Sequence, residues 1–212
     1  MKVFLVRHAK TAVKEEPKVR RQTPESPLGK EGIKQAKLLG KRMLKENIDT
    51  ILTSKWDRAR QTAEQVAKKL GKDFEMFDGI HEKVQHPDLP GVEFTSEIHL
   101  KHVNELEKFG SDLDWKFQGQ GESLREVINR AIIFKNHLIT KHQDQNVLVV
   151  THGIFLQCFV TVALLGEDYD DDCFNKIFRG LVFKNTGITM MEYITENNRW
   201  QLRYLNDHMH LR

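Results

Sequence analysis

The 212-residue chain reads as an α/β protein with a mostly parallel central sheet and helices on both faces. Val3-Phe4-Leu5-Val6 and Val147-Leu148-Val149-Val150 are unbroken apolar runs rich in β-branched residues, the pattern of strands buried on both faces. Around them lie longer segments whose apolar residues recur at helical spacing. Each run also stops at a histidine, in Arg7-His8-Ala9-Lys10-Thr11 and in Thr151-His152-Gly153. In an open α/β sheet the ligand crevice lies beyond the carboxyl ends of the strands, so His8 and His152 can converge there. One such histidine is read most simply as a satisfied loop residue; a pair at two strand ends points to a site.

Taken in order, residues 2 to 6 form the first strand and deliver Arg7 and His8. Residues 30 to 46 form a helix with Ile33, Ala36, Met43 and Leu44 close to one face. Ile51-Leu52-Thr53 is a short strand. Ser54-Lys55-Trp56-Asp57 has capping-box spacing and opens a helix that runs to Leu70 and closes at Gly71. Residues 74 to 77 read as another strand. From Asp78 to Gln120 the periodicity lapses around Pro87, Pro90 and Gly91, leaving one helix near 97 to 109; this stretch reads as a cap over the site. Ser123-Leu124-Arg125-Glu126 is a second capping box, and Val127, Ala131, Phe134 and Leu138 carry its helix toward Lys141. A strand at 147 to 151 and an apolar helix follow. Short apolar runs at 181 to 184, 187 to 194 and 199 to 205 predict edge strands. The expected organisation is a single domain over 1–212 with a cap insertion at about 78–120.

Composition excludes several classes. Thirty-three basic residues against 30 acidic ones give a net charge of +3, with no basic stripe interleaved with aromatics, so nucleic acid is not an expected partner. Cys158 and Cys173 show no paired spacing, which predicts two free thiols and a cytoplasmic location. Four apolar residues before Arg7, without a small-residue cleavage site, do not make a secretory signal. Val147 to Leu165 is long enough to span a bilayer, but it would put His152 and Gln157 near the costly middle; a strand followed by a buried helix explains it better. His99 with His102, and His208 with His210, lack a third ligand at a zinc spacing and read as surface histidines. Gly119-Gln120-Gly121 lacks the third glycine of a dinucleotide loop. Cys158, six residues past His152 on an apolar helix, reads as buried filler. Neither a metal nor a cofactor is expected.

A neutral imidazole is a good nucleophile near pH 7, and arginine grips phosphate oxygens with a fork of fixed donors. His152 precedes a helix whose first N–H groups favour an anion. Arg7, His8 and His152 therefore read as a phosphoryl pocket. A third cation is available in Asp57-Arg58-Ala59-Arg60-Gln61-Thr62-Ala63. Arg58 and Arg60 flank the inward stripe of Ala59, Ala63, Val66 and Leu70 on opposite sides, so periodicity does not choose between them.

Arg7-His8 after a first strand, LGKEGIKQA at 28 to 36, SKWDRARQTA at 54 to 63, Gly121-Glu122-Ser123 and Thr151-His152-Gly153 together resemble the histidine phosphatase superfamily, the phosphoglycerate-mutase-like clan. The resemblance covers nearly the whole chain apart from the cap. It implies a phosphoglycerate-mutase-like fold and selects Arg58 as the third cation. It also implies a two-step transfer in which His8 becomes a phosphohistidine while Arg7, Arg58 and His152 hold the phosphoryl oxygens, with no metal required. Thr11, Lys14 and Gly153 join the expected substrate contacts. Glu82, in Ile80-His81-Glu82, is the nearest match to the family's general acid, with Asp78 and Glu93 as rivals in the same loop. Ala9 stands where most relatives have glycine, which is tolerated if the backbone there needs no positive φ. Lys14 stands where many relatives carry a phosphate-contacting asparagine; it either supplies charge or is a solvated member of the mixed run from Lys10 to Arg21.

The expected activity is metal-independent hydrolysis of a small phosphorylated substrate. A phosphoglycerate mutase is the nearest alternative, but mutases carry a Glu-Arg-His-Tyr-Gly stretch that grips the substrate carboxylate. Here Glu82 is followed by Lys83-Val84-Gln85-His86. A non-catalytic module that binds phosphorylated ligands is the other alternative; such a protein is expected to lose His8 or a pocket arginine, and this chain keeps both.

Overall fold

β1 (Lys2–Arg7), β2 (Thr50–Thr53), β3 (Glu75–Met76), β4 (Asn146–Thr151), β5 (Ile188–Ile194) and β6 (Arg199–Asp207) form one sheet in the order β3-β2-β4-β1-β5-β6. This arrangement comes from a computed structural model that describes residues 1–16 and 20–212; residues 17–19, part of the mixed-charge run at 10 to 21, lie outside the described residues. The first four strands in that order are mutually parallel, whereas β5 and β6 run antiparallel at one side. Strands form where they were expected at 187 to 194 and 199 to 205, but only β6 is an edge strand; β5 lies between β1 and β6. Residues 181 to 184 do not form a strand. Their backbone instead turns toward the site, where the Phe183 carbonyl accepts from Arg7.

The pleat of β1 explains why helices cover both faces. Phe4 and Val6 point to one side, into a cluster with Leu39, Met43, Ala59, Ala63 and Val66 from α1 (Lys30–Met43) and α2 (Asp57–Leu70). Val3 and Leu5 point to the other, into a cluster with Phe134 of α4 (Leu124–Lys141) and Phe155 and Phe159 of α5 (Gly153–Leu165). Each such side chain, fully withdrawn from water, contributes roughly 1.5–3 kcal/mol before the entropy of ordering it is subtracted. The remaining helices are α3 (Glu97–Phe109), in the segment between β3 and α4, and α6 (Asp171–Gly180). Among the described residues no helix is long and apolar enough to cross a membrane.

Three local expectations are corrected. On α1 the buried face is Gly32, Ala36, Leu39, Gly40 and Met43, while Ile33 and Leu44 are 40% and 53% exposed. The glycines turn the face: a Cβ on Gly32 would stand 1.9 Å from the Lys10 carbonyl oxygen, so the helix lies against the loop that follows β1. Ser54 does not cap α2, which starts at Asp57 with Trp56 as its N-cap. Finally, α6 lies where no helix was expected, although Asp170, which accepts from the Cys173 N–H at 2.9 Å, and Phe174, Ile177 and Phe178 at helical spacing carry its signal. The capping box at Ser123 and Glu126 has both of its reciprocal hydrogen bonds, and Gly71 ends α2 in the left-handed conformation at φ 65°.

Candidate active site

Parallel pairing sets the two histidines side by side. Arg7 of β1 is in register with Thr151 of β4, and the His8 N–H extends the ladder to the Thr151 carbonyl at 2.8 Å. The next residue on each strand is therefore His8 or His152, with ring centroids 5.2 Å apart. Both side chains are fully buried.

The hydrogen bonds of His8 fix its tautomer. Its Nδ1 lies 2.8 Å from the Ala9 carbonyl oxygen, which can only accept, so Nδ1 carries the proton. Its Nε2 lies 3.2 Å from Nε of Arg58, which can only donate, so Nε2 presents its lone pair. Burial, then the Arg58 and Arg7 charges, hold the imidazole pKa well below its ordinary value, which keeps it neutral near pH 7. The loop is anchored as well: Ala9 N–H donates to Thr62 Oγ1 at 3.0 Å, and Asn185 Nδ2 donates to the His8 carbonyl at 2.7 Å. Ala9 does not have a positive φ, so its Cβ is tolerated.

Of the two arginines that periodicity could not separate, Arg58 faces the site and is 2% exposed. Its Nη1 donates to the Thr23 carbonyl at 2.8 Å, and its guanidinium stacks over Trp56 at 4.8 Å. Burial pushes its pKa down to about 10, with Glu82 opposing and Arg7 adding to the shift, so it remains charged at neutral pH. Arg60 instead pairs with Asp57 and Glu64 on the surface.

Arg7 donates from Nη1 to the Phe183 carbonyl at 2.7 Å, while its buried Nε has no partner. His152 Nε2 meets Ser54 Oγ at 3.0 Å and its buried Nδ1 is likewise unpartnered. Burial leads in lowering the His152 pKa, followed by the Arg58 charge. Two orphaned polar atoms in one pocket each cost roughly 1–3 kcal/mol unless something else satisfies them.

Glu82 stands at the opposite wall. Its Oε1 accepts from the Ile154 N–H and the Lys83 N–H, each at 3.0 Å. The N-terminus of α5, where the sequence predicted a bound anion, thus already holds a carboxylate. Arg7, Glu82 and Gly153 line a common cleft of about 360 Å³. A Cβ on Gly153 would lie 3.6 Å from the Arg7 guanidinium and 3.7 Å from Glu82 Oε2, inside the space between them. Of the rival acids, Asp78 is 80% exposed and bonded to Lys55 at 3.0 Å, and Glu93 faces Arg20 at 3.9 Å.

Thr11 is buried and accepts from Gln22 Nε2 at 2.6 Å. Lys14 is partly buried with its Nζ 4.1 Å from the centre of the Phe94 ring, and burial, then the Arg7 and Arg21 charges, lower its pKa. It is therefore in the field of the site and not a freely solvated lysine. The reading of His99 and His102 as surface residues is corrected too: both are partly buried and both accept from Arg21. His208 and His210 are partly buried as well. Among the described residues no group of three histidine, cysteine or acidic side chains is placed to hold a metal ion.

Sequence reasoning missed Ser54 and Arg130. Ser54 was read as a helix cap, yet its hydroxyl accepts from Trp56 N–H at 3.3 Å and faces His152. Arg130 donates to both Glu122 oxygens, at 2.8 and 2.9 Å, and to the carbonyls of Gly79 and His81, which fixes the backbone that carries Glu82. The Gly121-Glu122-Ser123 motif marked one end of that network; the helix pattern gave no sign of the other.

Residues 3–208 match the family described as histidine phosphatase superfamily, branch 1. Phosphoserine phosphatase 1 of Hydrogenobacter thermophilus is 32% identical over 170 residues, covering 79% of this chain and 78% of that protein. The Salmonella choleraesuis protein named "Probable phosphoglycerate mutase GpmB" is 31% identical over 207 residues, covering 94% of this chain and 87% of that one. Among solved structures, the alpha-ribazole phosphatase of Shigella flexneri superposes with a TM-score of 0.79 at 18% identity, over 98% of this chain and 96% of that one. Phosphoserine phosphatase of Entamoeba histolytica in complex with 3-phosphoglyceric acid gives 0.77 at 23% identity, over 99% and 98%. The fold is thus shared with phosphoglycerate-mutase-like enzymes, and the chain belongs to the histidine phosphatase superfamily.

Proposed function

We propose that this histidine phosphatase is a metal-independent phosphomonoester hydrolase that acts through a phosphohistidine on His8. The observation that carries the reading is the tautomer of His8: a neutral imidazole whose Nε2 lone pair faces the Arg58 guanidinium among the cations of the pocket. In the first step Nε2 attacks phosphorus, the bond from phosphorus to the ester oxygen breaks, and Glu82 gives its proton to the departing oxygen. Arg7 Nε and His152 Nδ1, both without protein partners, bind the phosphoryl oxygens as charge redistributes. Ser54 supports this role for His152, because a hydroxyl that accepts from Trp56 can donate to His152 Nε2 and leave the proton on Nδ1. In the second step water attacks phosphorus, Glu82 takes its proton, the phosphorus–nitrogen bond breaks and the electron pair returns to Nε2. Gly153 keeps room for the ester oxygen between Arg7 and Glu82, while Thr11 and Lys14 belong to the rim.

The substrate is a small phosphorylated molecule, and residues 78–120 act as the cap of a single domain over 1–212. A cytoplasmic setting suits the free thiols of Cys158 and Cys173. The names of the relatives divide between phosphatases and mutases. Hydrolysis is favoured because Lys83-Val84-Gln85-His86 replaces the mutase stretch after the acid. The test is turnover of nitrophenyl phosphate in excess chelator. Activity should persist there and be inhibited by vanadate, since the cationic cluster supplies the charge a metal would bring. Loss of activity on chelation, with restoration by magnesium or zinc, would contradict the reading.

A further inference from the structure

A row of lysines on the solvent face of α1 takes no part in the phosphoryl chemistry. Residues advance about 100° per step around an α-helix, so Lys30, Lys34, Lys37 and Lys41 fall within about 60° of one another along roughly 17 Å of its length. Lys45, in the turn that follows, is exposed like them. The row lies opposite the buried face of Gly32, Ala36, Leu39, Gly40 and Met43.

The surroundings leave this charge uncompensated. Among the described residues no carboxylate forms an ion pair with any of the five lysines. Acidic residues around α1 and α2 pair with arginines instead: Glu46 and Asp207 face Arg42, and Asp57 and Glu64 face Arg60. Glu31, the one acidic residue within α1, stands about 100° around the helix from Lys30. Lys69 of α2 adds to the field, since a Cβ on Gly40 would stand 2.9 Å from Lys69 Cβ. Like charges at i, i+4 spacing repel and weaken a helix. An opposing anionic surface relieves that repulsion.

The chemistry of the row selects the surface. Nucleic acid is gripped by arginine forks and by aromatic side chains that stack on bases. This row offers neither, since Arg42 is held by Glu46 and Asp207 and α1 contains no aromatic residue. Ammonium groups on flexible stems match the diffuse negative charge of anionic lipid headgroups. Ile33 and Leu44, 40% and 53% exposed, border one side of the row, where lysine stems would pass into the headgroup layer.

We infer that the solvent face of α1 docks on a bilayer carrying anionic phospholipid, with the lysines against its headgroups and Ile33 and Leu44 at its edge. The inference goes beyond the hydrolase reading and does not depend on it. The docked face and the phosphoryl pocket share one loop: after His8, Lys10 accepts from the Gly29 N–H through its carbonyl and donates from its own N–H to Gln35, each at 3.0 Å.

The test is sedimentation of the full chain with vesicles of phosphatidylcholine, alone or mixed about two to one with phosphatidylserine, near physiological salt. Each lysine near such a surface changes partition by about fivefold, so binding to the mixed vesicles should exceed binding to neutral ones by at least about tenfold and fall as salt is raised. Lys34→Gln, Lys37→Gln and Lys41→Gln together should bring that ratio to within about threefold of one. The same loss of charge at Lys101, Lys108 and Lys176, exposed residues outside α1, should leave it at about tenfold or more. Circular dichroism of both triple variants should match the wild type, which separates lost docking from lost structure. No preference for the mixed vesicles, or equal loss in the two triple variants, would overturn the inference. Sedimentation without vesicles would assign the row to a second copy of the chain, and tighter binding to a nucleic acid duplex than to mixed vesicles at equal phosphate concentration would assign it to nucleic acid; either result would overturn it too.

Discussion

His8 is held by opposing requirements on its two nitrogens: a carbonyl that must receive a proton and a guanidinium that must give one. The result is a nucleophile that stays neutral among positive charges, at the cost of leaving Arg7 Nε and His152 Nδ1 without partners. Glu82 differs from Asp78 and Glu93 in sharing a cleft with Arg7 and accepting from the Ile154 N–H. Its assignment as the acid makes a selective prediction. Glu82→Gln should slow hydrolysis of an alkyl phosphate by about 10²–10⁴-fold, because the alkoxide leaves poorly without a proton, while sparing the first-step burst with nitrophenyl phosphate. Burst amplitude and rate for the two ester classes check this, and equal loss in both would move the acid elsewhere. The residue pairs of the pocket were legible where a strand end displays them, as at Arg7, His8 and His152. Arg58 was not separable from Arg60 by periodicity, because both border the apolar stripe; the resemblance selected Arg58, and the contact with His8 agrees with it.

Elements were legible where local chemistry and packing agree. Ser123 and Glu126 have capping-box spacing and make both bonds, so Ser123→Ala should lower the unfolding free energy by about 1–2 kcal/mol, read as a shift in denaturant midpoint at constant slope. A change below about 0.3 kcal/mol would mean that α4 is fixed by its buried face alone. Ser54 has the same spacing and no such bonds, because Trp56 takes the N-cap position and the serine is turned to His152. The face of α1 was misjudged for a related reason: hydrophobicity points to Ile33 and Leu44, but close approach to the Lys10 backbone is available only on the side where Gly32 has no Cβ. The helix at 171 to 180 escaped notice because it is short and its apolar residues read as part of the alternating tail, although Asp170 announces its start.

Across the molecule, the order of alternating strands and helices predicted a mostly parallel sheet covered on both faces, and the pleat of β1 divides the core accordingly. What sequence patterning could not supply was the long-range pairing, since Arg7 and Thr151 meet across 144 residues of chain only through the β1–β4 register. The segment at 78 to 120 was legible only as irregular, for its links run from Arg21 to His99 and His102 and from Arg130 to the carbonyls of Gly79 and His81, across distances that no local period records. Everything proposed for the site depends on a covalent step at His8. Acid-free denaturing quench during turnover of a ³²P-labelled phosphomonoester, followed by peptide mapping, tests that step. The expected result is phosphate on the peptide containing His8, in a linkage that survives base and is lost in acid, and absent from His8→Ala. Label on Cys158, on another residue, or on none under rapid quench would contradict it.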